Sequence, residues 1–413
     1  MSETKLPIIE YNLLMNVPAN CLNRDDTGMP KTFVFDGVLR NAISSQCMKY
    51  AWRHSYAFTE KFGPIAKRTR QLPTELYFLL QGKGYTDEQI RTVCEALLTT
   101  EKSDKNNAKD SEKSEEDGDA KKPAKKAKAK DEDAKPLAMN KMSFYSDGEI
   151  EALAEALDIM WQKEGEAGFK NTKGFGSRLA GYLKKYTAPV RMTVDQALCG
   201  RMVTDDLLDD IDGAMQVSRA MSTGEAKIDA DYFTAVDDVL LHQKGAAVVG
   251  HLNSTDYGSA CFYVHVIIDL DQFARNMGMT ADSPKDLKDL VSHLAANMLE
   301  IISFTMPSGK QNSFEAHVFP EAVYVAVKSS KRSENLCNAF RNSSHLDTAE
   351  ASVQAMASEV ERSVRVFDVV PDHAVWLQTR DEYAVPHADC IDVCQSINEM
   401  KSKLNEWCAE AVD

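Results

Sequence analysis

The chain has 413 residues, 43% of them hydrophobic, with a formal charge of −15 from 48 Lys and Arg against 63 Asp and Glu. That length holds two or three domains or one elaborated domain, and the apolar fraction suffices for a real core. The acidic sum argues against a dedicated nucleic-acid binder, although binding depends on where cations sit and not on their total.

In chain order, Ile8 to Asn16 sets Tyr11, Leu13 and Met15 against Asn12 and Leu14, which predicts a first strand ended by Pro18. The stretch Cys21–Arg53 follows as a loop and then a helix. Ser44 and Ser45 lie where that helix should begin, because hydroxyls satisfy the free N–H groups of a first turn. Lys49 and Arg53, four residues apart, share one face; Met48, Ala51 and Trp52 lie on another. Free N–H groups, hydroxyls, an amide and two cations suit a phosphate cradle. The commoner arrangement, a capped amphipathic helix with a solvated basic face, fits as well.

From Ser55 to Leu98 the pattern is helical but broken at Pro64, Pro73 and Gly82-Lys83-Gly84. Asp87 to Leu98 places Ile90, Val93, Cys94 and Leu97 on one helical face. Residues 100–136 differ in kind: charged and Ser-rich, then a basic tract from Lys121 to Lys130. They cannot bury enough apolar surface to offset ordering entropy, which predicts disorder. The tract suits either electrostatic contact with nucleic acid or a solvated linker. Asp147 to Trp161 reads as a helix through Ile150, Leu153, Ala154 and Leu157, and Gly165 to Gly181 as a flexible basic connection. Asp205 to Thr223 reads as a helix with Leu208, Ile211, Met215 and Ser218 on a stripe.

Extended flanks around the glycines between Phe233 and Gly258 predict a long projecting hairpin. Cys261 to Leu270 is a strand with Phe262, Val264, Val266 and Ile268 on one face, and Pro284 to Ile302 a strongly amphipathic helix. Beyond the turn Ser308-Gly309-Lys310-Gln311, strands are predicted at Ser313–Phe319 and Ala322–Lys328, helices at Glu334–Arg341 and Ala349–Arg362, and a strand at Val364–Val370. A final helix is predicted over His387–Ala411, with Ile391, Cys394, Ile397, Leu404 and Cys408 inward. This order is compatible with a ferredoxin-like α+β core carrying a large helical insertion, a core that RNA-recognition folds use.

No Walker phosphate loop, Rossmann glycine fingerprint or GxSxG elbow occurs. Asp25-Asp26 and Asp237-Asp238 are adjacent carboxylates whose side chains diverge on a strand, so structural or capping roles outrank catalysis. Nine dispersed Cys without a CxxC pair and nine dispersed His without HExxH suit reduced thiols and no metal site. The first residues lack the apolar run of a signal peptide, and no uncharged stretch reaches membrane-spanning length. The expectation is a cytoplasmic protein without a membrane partner.

Assembled in order, the chain resembles the CasC family, the backbone subunit of Cascade, the type I-E CRISPR RNA-guided surveillance complex of bacteria. The motifs are Cys21-Leu22-Asn23-Arg24-Asp25-Asp26; Ile43-Ser44-Ser45-Gln46 with Lys49; Ala197-Leu198 with Gly200-Arg201-Met202; Asp212-Gly213-Ala214-Met215; Asp231 followed by Phe233-Thr234-Ala235-Val236-Asp237-Asp238; and Gly309-Lys310-Gln311. The resemblance implies a ferredoxin-like (RRM-like) palm in three parts (1–61, 213–225 and 262–413, the last with C-terminal helices), helical fingers over 62–212 and a hairpin thumb over 226–261. It implies RNA contacts at Arg24, Lys31, Arg40, Ser44, Ser45, Gln46, Lys49, Arg53 and Lys310. Met202, Thr234 and Val249 would flank a displaced base. Lys121, Lys122, Lys125, Lys126, Lys128 and Lys130 are candidates for contact with target DNA. The implied partners are CRISPR RNA, further copies in a head-to-tail filament, other Cascade subunits and target DNA paired with the guide, with no cofactor and no enzymatic activity. A rival reading takes the chain as a backbone subunit that cuts target RNA with a metal ion at Asp25 or Asp26, by analogy with related type III complexes.

Overall fold

The structure, a computed structural model, describes residues 6–103, 138–139, 141–202, 207–236, 249–279 and 283–412. The chain divides into two compact units, Met1–Pro64 with Gly213–Asp413, and Ile65–Asp212. The strands among the described residues are β1 (Ile8–Asn20), β2 (Thr32–Phe35), β3 (Val38–Ile43), β4 (Lys67–Thr69), β5 (Ser143–Tyr145), β6 (Met215–Val217), β7 (Ala220–Ser222), β8 (Ile228–Val236), β9 (Val249–Asp269), β10 (Ala322–Lys328), β11 (His373–Gln378) and β12 (Ile391–Cys394).

The first unit is a mixed α+β body around one large sheet. Its strand order is β12-β11-β10-β1-β9-β7-β3-β2, with β6 and β8 also paired to β9. Every pairing is antiparallel except β11 with β12. β1 sits in the middle because its residues are buried on both faces from Ile8 to Met15. Tyr11 and Leu13 face the helix Pro284–Phe304, whose Ala295 carbonyl accepts the Tyr11 hydroxyl at 2.9 Å. On the opposite face Leu14, Tyr263 and Tyr324 join Val353, Met356 and Val360 of the helix Ala349–Phe367. β1 runs past Pro18 to Asn20, beyond the expected end. The register against β9 shifts between Val17 and Asn20, and such an irregularity tolerates a residue without an N–H. The Asn20 amide then donates to Gly258 O at 3.0 Å and carries the pairing on.

The interior is partly polar. Lys328 pairs with Glu10 at 2.6 Å, both buried, and Glu10 also accepts the Glu334 N–H. The Tyr263 hydroxyl donates to Asn12 Oδ1 at 2.7 Å and accepts the Leu336 N–H at 2.9 Å.

The second unit packs the helices Leu72–Gly82, Asp87–Ser103, Asp147–Lys170 and Phe175–Tyr186 on a core that includes Leu76, Ile90, Leu97, Leu153 and Leu157. Ser146 and Glu149 form a reciprocal capping box at the start of the long helix. Glu149 also accepts bonds from Gln196 (2.7 Å) and from the buried Arg201 (2.8 Å). Arg201 is thereby a structural tie within this unit.

Five expectations need correction. Residues 205–223 do not form a helix: beyond the undescribed 203–206 lie turns, a bridge at Ile211, and strands β6 and β7. The fortuitous stripe yields to pairing with β9, which offers both strands a ladder of hydrogen bonds. The connection 165–181 is mostly helical. The long helix passes a break at Gly165 (φ 60°) and another starts at Phe175, while Arg178 ties Gly168 O, Asn171 O and Glu164 together. Residues 313–319 are not a strand, since Gln311–Phe314 is a helical turn. Residues 364–370 continue a helix as far as Phe367. Ile391 and Cys394 belong to β12, so the last helix is shorter, Ile397–Glu410. The disorder expected over 100–136 falls outside the described residues except at 100–103, which are helical. All nine cysteines are free thiols. Among the described residues no helix is long and apolar enough to cross a membrane.

Candidate nucleic-acid interface

The site is built from short segments far apart in sequence but contiguous in the first unit. The first is the start of helix α1 (Ser45–Arg53). Ser44 caps it, its hydroxyl accepting the Cys47 N–H at 3.3 Å. No acidic residue occupies the first turn, so the positive end of the helix dipole is unopposed by its own side chains. Met48 and Trp52 are buried, as the spacing predicted.

The second segment is the loop after β1, organised by Asn23. Its Oδ1 accepts the Ser44 N–H at 2.9 Å and its carbonyl accepts the Lys31 N–H at 2.8 Å. One residue therefore ties the loop to the cap of α1 and to the chain entering β2. Asp25 shapes the rest: its Oδ1 accepts the Thr27 N–H, the Thr27 hydroxyl and the Met29 N–H. The Thr27 hydroxyl, with these N–H groups, holds the Asp25 carboxyl below the usual range.

The third segment is the Gly309-Lys310-Gln311 turn, which rests on that loop. A Cβ on Gly309 would lie 2.9 Å from Cys21 O and closer still to Leu22 O, so only glycine fits. Lys310 and Glu315 bracket the turn with φ of 56° and 46°, left-handed values that cost roughly 1 kcal/mol each for such residues. Gln311 offsets this by stapling both ends: its amide donates to Pro307 O at 3.2 Å and its Oε1 accepts the Ala316 N–H at 2.7 Å.

The cations gather here. Burial pushes the Cys21 thiol up, while Arg24 and Lys310 pull it the other way, so both cations lie within electrostatic reach of one sulfur. Burial likewise raises the Cys47 thiol against the opposing charge of Lys31. Lys49 is half-buried, its ammonium donating to Met215 O at 3.0 Å. The structure thus brings Arg24, Lys31, Ser44, Ser45, Gln46, Lys49 and Lys310 to one region.

The remaining candidates lie elsewhere. Arg40 is 0% exposed, and its guanidinium donates to the carbonyls of Ser222, Thr223 and Phe340 (2.7 Å for the last). Its pKa is lowered by burial. Arg53 is 3% exposed, so the two basic residues of α1 are not equivalent. Tyr50, between them in sequence, is exposed and stacks on His54 at 4.0 Å. Thr234 is exposed on β8, in a hairpin that pairs Ile228 with Gly258 and Val236 with Val249. Met202, in the second unit, is 85% exposed. Lys121, Lys122, Lys125, Lys126, Lys128 and Lys130 fall outside the described residues.

Two features escaped the sequence reading: the organising role of Asn23, and the contact of Phe314 with Tyr257 at the hairpin root. Asn23 carried a signal, since an Asn in a loop just ahead of a capped helix commonly bonds the backbone. The ring contact carried none, being set by tertiary packing. The arrangement can grip an anionic backbone through N–H groups, hydroxyls and cations. Among the described residues no group of three or more His, Cys, Asp or Glu is placed to hold a metal ion.

The family model described as CT1975-like protein matches residues 9–403. No curated protein matches this chain. A solved chain from a "CRISPR RNA-guided surveillance complex, pre-nicking" superposes with a TM-score of 0.69 at 22% identity, covering 98% of this chain and 100% of that one. A chain from a "CRISPR RNA-guided surveillance complex" gives 0.63 at 19% identity, covering 96% and 99%. At such identities the likeness is one of fold.

Proposed function

The chain belongs to the CT1975-like family of Cas proteins, and on that footing we propose that it is the RNA-binding backbone subunit of a type I-E Cascade complex. It polymerises head to tail along a CRISPR RNA and presents the guide for pairing with target DNA, in concert with the other Cascade subunits, in antiviral defence in the cytoplasm. It is a scaffold, not an enzyme. The order β10-β1-β9-β7, with the long helix Pro284–Phe304 in the connection from β9 to β10, supports reading the centre of the first unit as a ferredoxin-like palm. The second unit then corresponds to the fingers and the β8–β9 hairpin to the thumb.

One observation carries this reading: the Gly309–Gln311 turn is seated on the Asn23 loop beside the Ser44-capped helix. In this reading Arg24, Lys31, Lys49 and Lys310 supply charge, and Ser44, Ser45 and Gln46 supply hydrogen bonds, to RNA phosphates. Such contacts position RNA without reading its sequence. Met202, Thr234 and Val249 flank the base that each thumb displaces.

The test is purification of the chain with the products of its operon, followed by extraction of nucleic acid. RNA of one defined length, resistant to added nuclease, is the expected result. An intact complex without RNA overturns the proposal.

A further inference from the structure

The turn that carries Lys310 touches two parts of the first unit at once. On one side Gly309 presses on the carbonyls of Cys21 and Leu22. On the other the Phe314 ring lies 5.4 Å from the Tyr257 ring, at an interplanar angle of 42°. Tyr257 stands at the root of the β8–β9 hairpin, opposite Asp229 and one residue before Gly258, where β9 pairs with Asn20 of β1. The Asp229 carboxylate pushes the Tyr257 hydroxyl pKa up from its ordinary value. Between the two contacts the chain has little slack. Gln311 bonds to Pro307 O and to the Ala316 N–H, and the left-handed Lys310 and Glu315 fix the path at each end. A segment pinned in this way transmits a displacement where a loose loop would absorb it.

We propose that Phe314 is a positioning residue: through Tyr257 it sets the root of the hairpin against the anion-gripping turn, so that the Lys310 contact and the hairpin move as one piece. The consequence for RNA rests on the function proposed above. The mechanical link belongs to the unliganded chain.

Hydrogen exchange of the backbone amides in the purified full-length chain tests the link. Phe314→Ala speeds exchange at residues 228–231 and 255–258 by about 2- to 10-fold, the range expected for loss of an aromatic pair. Amides of β1 and β10 are unaffected. Phe314→Tyr restores the wild-type rates. Tyr257→Ala reproduces the effect, and combining it with Phe314→Ala adds nothing further. Unchanged exchange at the hairpin root in both alanine variants overturns the proposal, as does equal acceleration throughout the sheet. In the RNA-loaded complex, Phe314→Ala retains RNA of one length but loses the regular spacing of chemically reactive bases. Wild-type spacing there also overturns it. A wild-type complex without RNA would sink the proposed function, while exchange in the chain alone still decides the link.

Discussion

Gly309 lies so close to the carbonyl oxygen of Leu22 that no side chain fits between them. The contact joins residues almost 290 positions apart and aligns the Lys310 turn with the Asn23 loop. Gly309→Ala must push these backbones apart, at a cost of about 1–3 kcal/mol for overpacking. We expect a lower unfolding temperature in calorimetry and, in any complex that assembles, RNA that washes out at lower salt.

Lys49 and Arg53 separate in their effects. Lys49→Ala removes the donor that the half-buried ammonium offers the Met215 carbonyl at 3.0 Å, and we expect the fold to survive. The salt dependence of RNA affinity should flatten by about 0.7 in log–log slope, one phosphate contact on a single strand. Arg53 is 3% exposed, and Arg53→Ala should lower the urea midpoint first. A fully stable Arg53→Ala protein with reduced RNA affinity would reverse this assignment.

Arg40→Met removes donors from three buried carbonyls. The expected loss is about 3 kcal/mol. Urea titrations should show a lower midpoint at an unchanged m-value.

His265 gives a pH signature. Burial, with the Lys328 charge beside it, lowers its pKa from 6.5 to about 4. As pH falls from 6.5 to 4 the unfolded chain takes up a proton that the folded chain refuses. Stability drops through that window by up to about 3 kcal/mol and this contribution is level below it. The urea midpoint of His265→Gln should therefore fall less than that of the wild type between pH 7 and pH 4.5.

Asp25→Ala frees the three donors that its carboxylate orders. The loop carrying Arg24 should loosen and RNA retention weaken. Complementary RNA incubated with the complex and Mg²⁺ should stay whole. Periodic cuts that disappear in Asp26→Ala would instead make this loop a nuclease site.

Much of this was legible where local rules and tertiary context agree. Ser44 caps its helix, Ile90, Val93, Cys94 and Leu97 line a buried stripe, and the hairpin pairs as its composition suggests. The reading failed at short strands. Met215–Val217 and Ala220–Ser222 are three residues each, too few to show alternation, so a coincidental spacing of Leu208, Ile211 and Met215 prevailed. Ile391 and Cys394 are both buried, a spacing that suits a helix, yet they line a strand parallel to β11. At the site, Ser44, Ser45, Gln46 and Lys49 could be read as a unit because they are local. Arg40 could not be sorted from them, because the Ser222, Thr223 and Phe340 carbonyls that enclose it come from distant positions.

The candidate anion grip is stitched from residues near 23, 31, 44, 49, 215 and 310, and Gln311 closes its last turn through Pro307 O and the Ala316 N–H. A ribosome must therefore translate most of the message before this cluster of segments can come together. On the function proposed above, the complete grip is thus a property of the nearly finished protein.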